Sequence, residues 1–168
     1  LDGAHDVLPL AAAELALVQY TSGATQQPKG VPITQQMVLR SMANTNALFG
    51  FTSTDRFLAV LPLYHTFGLM VHGWSALWAG GACYLLSPLA FAADPGVWLR
   101  AISEHAISVS GAPNFAFARC ADLPETHDDA LDLSSWRFAL NGGEPPQAEV
   151  IEKFVARYRP RGLVRGAI

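Results

Sequence analysis

The longest stretch without a formal charge constrains the fold of this chain more than any other feature. No Lys, Arg, Asp or Glu occurs between Arg56 and Asp94. Such a run is typical either of a membrane span or of elements that are buried on both faces. Pro62 and the pair Gly80-Gly81 interrupt the run and cut it into pieces too short for a spanning helix. We therefore predict a buried strand-helix-strand unit and no membrane span.

Short β-rich runs alternate with longer helical patterns along the chain. This alternation predicts an α/β fold, with alternating βα units that form a mostly parallel β-sheet flanked by helices. The predicted strands are residues 15–20, 57–61, 82–86, 107–110, 137–140 and 163–168, and the predicted helices are residues 34–48, 66–79, 95–105, 114–121 and 146–158. Helix 66–79 is apolar nearly all round, so we expect other elements to cover it on both sides. The acidic stretch 123–134 is expected to be a solvated connection.

Composition excludes several functions. Hydrophobic residues make up 51% of the 168 residues and charged residues only 15%, which predicts one domain or a part of a larger one. The net charge of −3 includes no basic block, so nucleic-acid binding is excluded. Cys83 and Cys120 lie far apart without metal-ligand spacing, so we predict no metal site formed by cysteines and a reduced, cytoplasmic location. The first residues lack the basic start of an export signal.

The strongest local signal is the loop YTSGATQQPKG at residues 20–30, which follows an apolar strand and precedes a predicted helix. Hydroxyl groups, a flexible glycine and one lysine suit the oxygen atoms of a polyphosphate. The residues that provide them are Thr21, Ser22, Gly23, Thr25 and Lys29. The spacing differs from a Walker A motif. By composition alone, a polar hairpin or surface turn is the alternative.

This loop, continued by GVPIT, resembles the phosphate-binding loop of the acyl- and aryl-adenylating (AMP-binding) superfamily. The resemblance implies that the five residues above bind ATP and that Lys29 is catalytic. Ala24 and Gln26 depart from the family pattern, which has a hydroxyl residue and a glycine there. Fold and function are then expected to be those of part of the adenylating domain.

A second segment, LPLYHTFGL at residues 61–69, resembles the family segment at the start of the helix that borders the acyl pocket. The resemblance implies that His65 contacts the substrate carboxylate and takes part in catalysis. A capped histidine in the core, with a structural role, is the alternative. His72 shares the face of His65, but no third ligand joins them, so a zinc site is not predicted.

A third group of segments resembles the fatty acyl-AMP ligase branch: SPLAF at 87–91, Trp98-Leu99 and SGAPNFAF at 110–117. The resemblance implies that a fatty acid is bound by Gly111, Ala112, Asn114 and Phe115. For the aromatic residues Phe115 and Phe117, core packing is the alternative.

A fourth segment, WRFALNGGEP at residues 136–145, resembles the family's strand and turn at the adenine site. The implied nucleotide contacts are Asn141, Gly142, Gly143 and Glu144. Glycines after a strand allow a purine to lie against the backbone. A tight turn before the next helix is the alternative.

Together the segments imply that a fatty acid carboxylate attacks the α-phosphorus of ATP, and that the acyl group then passes to the phosphopantetheine of an acyl carrier protein. Mg²⁺ should accompany ATP, with its glutamate ligand beyond Ile168, where the rest of the large domain and a small C-terminal domain are also expected. The chain alone is expected to be weakly active or inactive. The rivals are an acyl-CoA synthetase, with coenzyme A as acceptor, and a non-catalytic subdomain.

Overall fold

The computed structural model describes residues 11–21, 27–127 and 130–168. The chain divides into two compact units, Leu1–Phe49 and Gly50–Ile168. Each unit has its own β-sheet. Within the described ranges, no helix is long and apolar enough to cross a bilayer.

The first unit contains a β-hairpin followed by a helix. Strand β1 (Leu15–Tyr20) pairs antiparallel with β2 (Gly30–Thr34), and helix α1 (Gln35–Phe49) follows directly. The Thr34 hydroxyl oxygen accepts a hydrogen bond from the backbone N–H of Met37 at 3.3 Å, as an N-cap residue does. The helix is confirmed. The strand β2 lies between the polar loop and this helix and was not predicted.

The second unit is built on a four-stranded parallel sheet with strand order β4-β3-β5-β6. Its strands are β3 (Arg56–Ala59), β4 (Ala82–Leu85), β5 (Val109–Ala112) and β6 (Phe138–Asn141). Each lies within two residues of a predicted strand. The parallel order confirms the α/β fold class, because helical connections return the chain to the same edge of the sheet before each new strand.

Helices and turns connect these strands. They are a π-helix (Phe67–Trp74) that continues as α2 (Ser75–Ala79), then α3 (Pro88–Ala93), α4 (Gly96–Glu104), α5 (Asn114–Ala121) and α6 (Ala148–Tyr158). The covering expected for helix 66–79 is incomplete, since Leu77 is 76% exposed. The strand predicted at 163–168 is wrong. Leu163 is buried in the core, and the chain then forms a short 3-10 turn, Arg165–Ala167.

The core of this unit is a cluster of fully buried aromatic rings. Trp98 packs edge-to-face on Phe117 and on Trp136, with ring centroids 5.2 and 5.1 Å apart, and Phe117 packs on Phe154 at 5.1 Å. The indole N–H of Trp98 donates to the Ser110 hydroxyl at 2.9 Å. These contacts join α4, α5 and α6 to the sheet. For Phe117 the core-packing alternative is therefore the one observed.

A second network fixes the amino edge of the sheet. Asp55, just before β3, is 5% exposed and accepts hydrogen bonds from Ser108 Oγ at 2.6 Å and from Arg137 Nη2 at 3.0 Å. Ser108 and Arg137 immediately precede β5 and β6. Burial opposes ionisation of Asp55, but these bonds, the Thr52 bonds and the Arg137 charge together hold its pKa below the usual value. The network therefore joins the starts of three strands.

Candidate functional site

The predicted phosphate loop lies between the two strands of the first unit. The backbone N–H of Thr21 donates to the carbonyl oxygen of Lys29 at 3.0 Å, and the Lys29 N–H donates to Thr21 Oγ1 at 3.2 Å. These two bonds close the base of the loop. Thr21 and Lys29 are both exposed, so a hydroxyl group and an ammonium group are available to an anion there. Ser22, Gly23 and Thr25 lie outside the described residues.

In the second unit, three predicted segments meet at the carboxyl edge of the parallel sheet. The π-helix follows β3 after a short turn, α5 follows β5, and residues 142–147 follow β6. A Cβ atom added to Gly142 would lie 3.2 Å from Cε2 of Phe67 and a Cβ on Gly143 would lie 4.0 Å from Cγ of Pro113. The carboxyl edge of a parallel sheet is the usual place for a ligand in such folds.

Side-chain hydrogen bonds join the start of α5 to the loop after β6. Asn114 is 4% exposed, and its Oδ1 accepts from Asn141 Nδ2 at 3.2 Å and from the Gln147 backbone N–H at 3.1 Å. In the opposite direction, Glu144 Oε1 accepts from the backbone N–H of Phe115 at 3.0 Å. The side-chain oxygens of Asn114 and Glu144 thus bind protein groups. Asn141 Oδ1 is buried and has no hydrogen-bond partner among the described residues.

His65 lies at the start of the π-helix and is exposed. Its Nδ1 accepts a hydrogen bond from the backbone N–H of Phe67 at 3.1 Å. This bond requires the imidazole to carry its proton on Nε2 when neutral, so Nε2–H can donate to a ligand. His65 therefore binds the first backbone N–H of the helix and still offers one donor to a substrate oxygen. Its exposure contradicts the alternative of a histidine in the core.

His72, seven residues further along the chain, is 0% exposed, so it does not share the exposed face of His65 as the spacing predicted. Neither ring nitrogen has a hydrogen-bond partner among the described residues, and the ring packs edge-to-face on Phe67 with centroids 5.3 Å apart. Burial lowers the pKa of His72 to about 4, although the nearby backbone of Phe67 opposes the shift. The imidazole is therefore neutral at physiological pH. The described residues contain no group of three His, Cys, Asp or Glu that could hold a metal ion.

The residues predicted to bind the fatty acid differ in exposure. Gly111 is buried between strands, where a Cβ would collide with the backbone oxygen of Leu140. A glycine is therefore needed for the close approach of β5 and β6. Ala112 is fully buried as well. Phe115, 50% exposed on α5, is the member of the predicted set whose side chain can meet an apolar ligand without rearrangement.

Phe67 and Gln147 were not predicted as site residues. Gly142 did indicate that another group lies close to the loop after β6, because a glycine after a strand is typical of such a close approach. The identity of that group, Phe67, follows from the parallel strand order, which a single sequence does not specify.

Comparisons with known proteins agree with one another. The family model described as AMP-binding enzyme matches residues 3–166. The medium-chain-fatty-acid–acyl-carrier-protein ligase JamA of Moorena producens is 39% identical over 92% of this chain and 26% of that protein. The long-chain-fatty-acid–AMP ligase FadD26 of Mycobacterium marinum is 33% identical over 98% of this chain and 29% of that protein.

Among solved structures, the fatty acyl-adenylate ligase from L. pneumophila, in complex with acyl adenylate and pyrophosphate, matches with a TM-score of 0.89. The sequences are 31% identical, and the match covers 93% of this chain and 28% of that one. The chain thus spans between 26% and 29% of the length of these relatives.

Proposed function

The chain belongs to the AMP-binding enzyme family, and from that premise we propose that it is part of a ligase that activates a fatty acid with ATP as an acyl-adenylate. One observation carries the proposal. The segments predicted for the carboxylate, the acyl chain and the adenine follow β3, β5 and β6, and meet at one edge of one sheet.

The purine is proposed to lie against Gly142 and Gly143, next to Asn141. Gly143 has φ of +90°, and a Cβ added there would come no closer than 4.0 Å to Pro113, so the backbone at Gly143 leaves room for a flat ring. At Gly142 the Phe67 ring lies against the backbone on one side. The fatty acid is proposed to contact the exposed ring of Phe115. His65 Nε2–H is proposed to donate to a carboxylate oxygen, which holds that oxygen in place without removing a proton from it.

The triphosphate is proposed to bind the loop between β1 and β2. Lys29 neutralises negative charge on the phosphate oxygens, and the Thr21 hydroxyl donates to one of them. A fatty acid carboxylate oxygen then bonds to the α-phosphorus while the bond to the bridging oxygen breaks, and pyrophosphate leaves with the electron pair. The contribution of these residues is positioning and charge neutralisation. Mg²⁺ is proposed to accompany ATP.

For the acceptor we propose the phosphopantetheine of an acyl carrier protein. The name of the JamA relative, an acyl-carrier-protein ligase, supports this choice. Coenzyme A is the alternative acceptor. A longer form of the enzyme that contains this chain would distinguish them, if holo carrier protein and coenzyme A were supplied separately and acyl transfer to each were measured.

A non-catalytic role is the second candidate, because Ala24 and Gln26 depart from the family's loop pattern. A non-catalytic chain would have the same fold as a catalytic one, and the two would differ in how they bind the nucleotide. A non-catalytic chain need not distinguish Lys29 from any other exposed lysine.

The test is titration calorimetry of the chain with ATP and Mg²⁺, beside Lys29→Ala and a matched control, Lys153→Ala. Lys153 is an exposed lysine on α6 that pairs with Asp122 at 2.5 Å. We expect Lys29→Ala to weaken binding by about 1.5–3 kcal/mol, the range for hydrogen bonds to charged groups, and Lys153→Ala to leave it unchanged. Equal binding by all three folded proteins would refute the phosphate role of Lys29. Absence of binding by the folded parent chain would favour the non-catalytic candidate.

A further inference from the structure

Two side chains at the carboxyl edge hold each other's chain segments in a reciprocal arrangement, which we call the clasp. Asn114, the first residue of α5, accepts from the loop through Asn141 and Gln147. Glu144, within that loop, accepts from the backbone of α5 at Phe115. Each segment therefore supplies the acceptor that satisfies a donor of the other.

We propose that Asn114 and Glu144 are positioning residues that couple the nucleotide subsite to the acyl subsite, so that occupancy of one strengthens binding at the other. The proposal rests on the proposed function, which gives the loop to the purine and α5 to the acyl chain. It differs from the roles expected from the sequence, since Asn114 Oδ1 and Glu144 Oε1 accept hydrogen bonds from protein groups.

Burial strengthens the hydrogen bonds of Asn114, and their donors fix the orientation of its amide group. At 4% exposure, Asn114 Oδ1 has little water to compete for its two donors. The Gln147 backbone N–H can only donate, so it fixes which end of the Asn114 amide faces the loop. The Asn141 amide must then present Nδ2 to Asn114, which leaves its own Oδ1 without a partner.

The hydrogen bond of Glu144 is exposed to solvent and therefore weaker, but it acts on the first turn of α5. The first backbone N–H groups of a helix have no partner within the helix, and a carboxylate near them also interacts favourably with the helix dipole. The bond from Phe115 N–H to Glu144 thus orders the first turn of α5. The side chain of Phe115, which the proposal gives to the acyl chain, is attached at that turn.

Coupling follows from the ordering cost. A purine held on Gly142 and Gly143 restricts the loop, and through Asn114 and Glu144 it restricts the first turn of α5. The acyl chain then binds to a first turn that is already ordered, so its binding costs less conformational entropy. This gives positive cooperativity without a change of shape. Couplings of this kind are typically about 5–150-fold in affinity.

The first arm of the test needs no ligand. Amide hydrogen exchange is measured by NMR at Phe115 and Gln147 in the parent chain, in Glu144→Ala and in Asn114→Ala. If the clasp joins the two segments, a loss of order in one also loosens the other. We therefore expect Glu144→Ala to accelerate exchange at Phe115 and also, about tenfold, at Gln147, although the acceptor of Gln147 is intact. Asn114→Ala should accelerate exchange at Phe115 in the same way. Acceleration confined to the amide that lost its own acceptor would overturn the clasp.

The second arm measures ligand coupling by calorimetry, with AMP and decanoate as probes, each alone and with the other near saturation. We expect at least about fivefold mutual tightening in the parent chain. Glu144→Gln should retain it, since an amide oxygen still accepts from Phe115, whereas Glu144→Ala should lose it. The control Glu152→Ala removes an exposed glutamate of α6 that pairs with Arg165, and should behave as the parent.

The two arms separate the two proposals. If the parent chain binds both probes without mutual tightening, or if Glu144→Ala tightens as the parent does, the coupling is refuted while the proposed function stands. If the folded parent binds neither probe, the proposed function fails for this chain. The exchange arm then decides on the clasp alone, and the coupling of subsites is refuted with the proposed function.

Discussion

The two edges of the parallel sheet differ in how completely their polar groups are satisfied. At the amino edge, Asp55 accepts hydrogen bonds from a threonine, a serine and an arginine, and both of its oxygens are engaged. At the carboxyl edge, Asn141 Oδ1 and both nitrogens of His72 are buried without partners among the described residues. Buried polar groups without partners are uncommon in native proteins and cost about 1–3 kcal/mol each.

The difference separates stability from function. A fully satisfied network stabilises the fold and offers nothing to a ligand, whereas unused donors and acceptors cost stability and can be satisfied by one. The amino edge thus holds the strands together. The carboxyl edge carries unfavourable features of the kind that functional sites retain.

The largest effect on stability is expected when the Asp55 network at the amino edge of the sheet is removed. Asp55→Ala leaves Ser108 and Arg137 without their acceptor, and we expect the free energy of unfolding to fall by about 3 kcal/mol. Urea denaturation followed by circular dichroism measures it. Asp122→Ala, which removes a fully surface-exposed ion pair with Lys153, is the matched control and should cost less than about 1 kcal/mol. Equal losses in both variants would mean that the Asp55 network contributes no more than a surface pair.

The next effect concerns pH at the unsatisfied edge. The pKa of His72 is about 4 in the folded chain and 6.5 as the reference value. The unfolded chain therefore binds a proton more readily, and stability falls as pH falls from 6.5 towards 4. We expect a loss of about 2 kcal/mol between pH 7 and pH 5. Asp55 loses its contribution only at lower pH, because its pKa lies below 3.8.

His72→Leu separates this effect from other titrating groups. It removes the titration and two unpartnered nitrogens, so the pH dependence between 7 and 5 should shrink and stability at pH 7 should not fall. Urea denaturation at both pH values measures both quantities. An unchanged pH dependence in His72→Leu would show that another group titrates in this window.

The smallest effect tests the backbone of the loop. Gly143 has φ of +90°, a conformation that strains any residue with a side chain, so Gly143→Ala should cost about 1 kcal/mol. Gly166→Ala is the matched control, because nothing lies within 4 Å of its added Cβ. Thermal unfolding of both variants gives the comparison. A loss at Gly166 as large as that at Gly143 would remove the evidence for strain in the loop.

Most of the fold followed from sequence pattern. Four strands of the sheet and the helices at 34–48, 95–105, 114–121 and 146–158 were predicted within a few residues, because apolar runs and capping residues mark them. Strand β2 was not predicted. Pro32 is tolerated within it because, among the described residues, β2 pairs with one strand in a hairpin. Helix α3 was not predicted either, although Pro88 stands at its first position, where proline is favoured.

The site was less predictable than the fold. The motifs predicted which segments would meet, and the parallel order of β3, β5 and β6 brings them together. The partners of individual side chains were not predicted, because Asn114 and Glu144 bind groups 27 to 33 residues away in the chain. The motif predicted Gly111 to be a pocket residue. In the structure, a glycine is needed at this position because β5 and β6 approach each other closely there.

The Asp55 network also has a consequence for the order of folding. Ser108 lies 53 residues from Asp55 and Arg137 lies 82 residues from it. Contacts this distant in the chain must close long loops, so we expect the network to form late in folding, together with the pairing of the strands. Interactions that are absent from the transition state slow unfolding and leave the folding rate almost unchanged. We therefore expect Asp55→Ala to speed unfolding more than it slows folding, and so to shorten the lifetime of the folded unit.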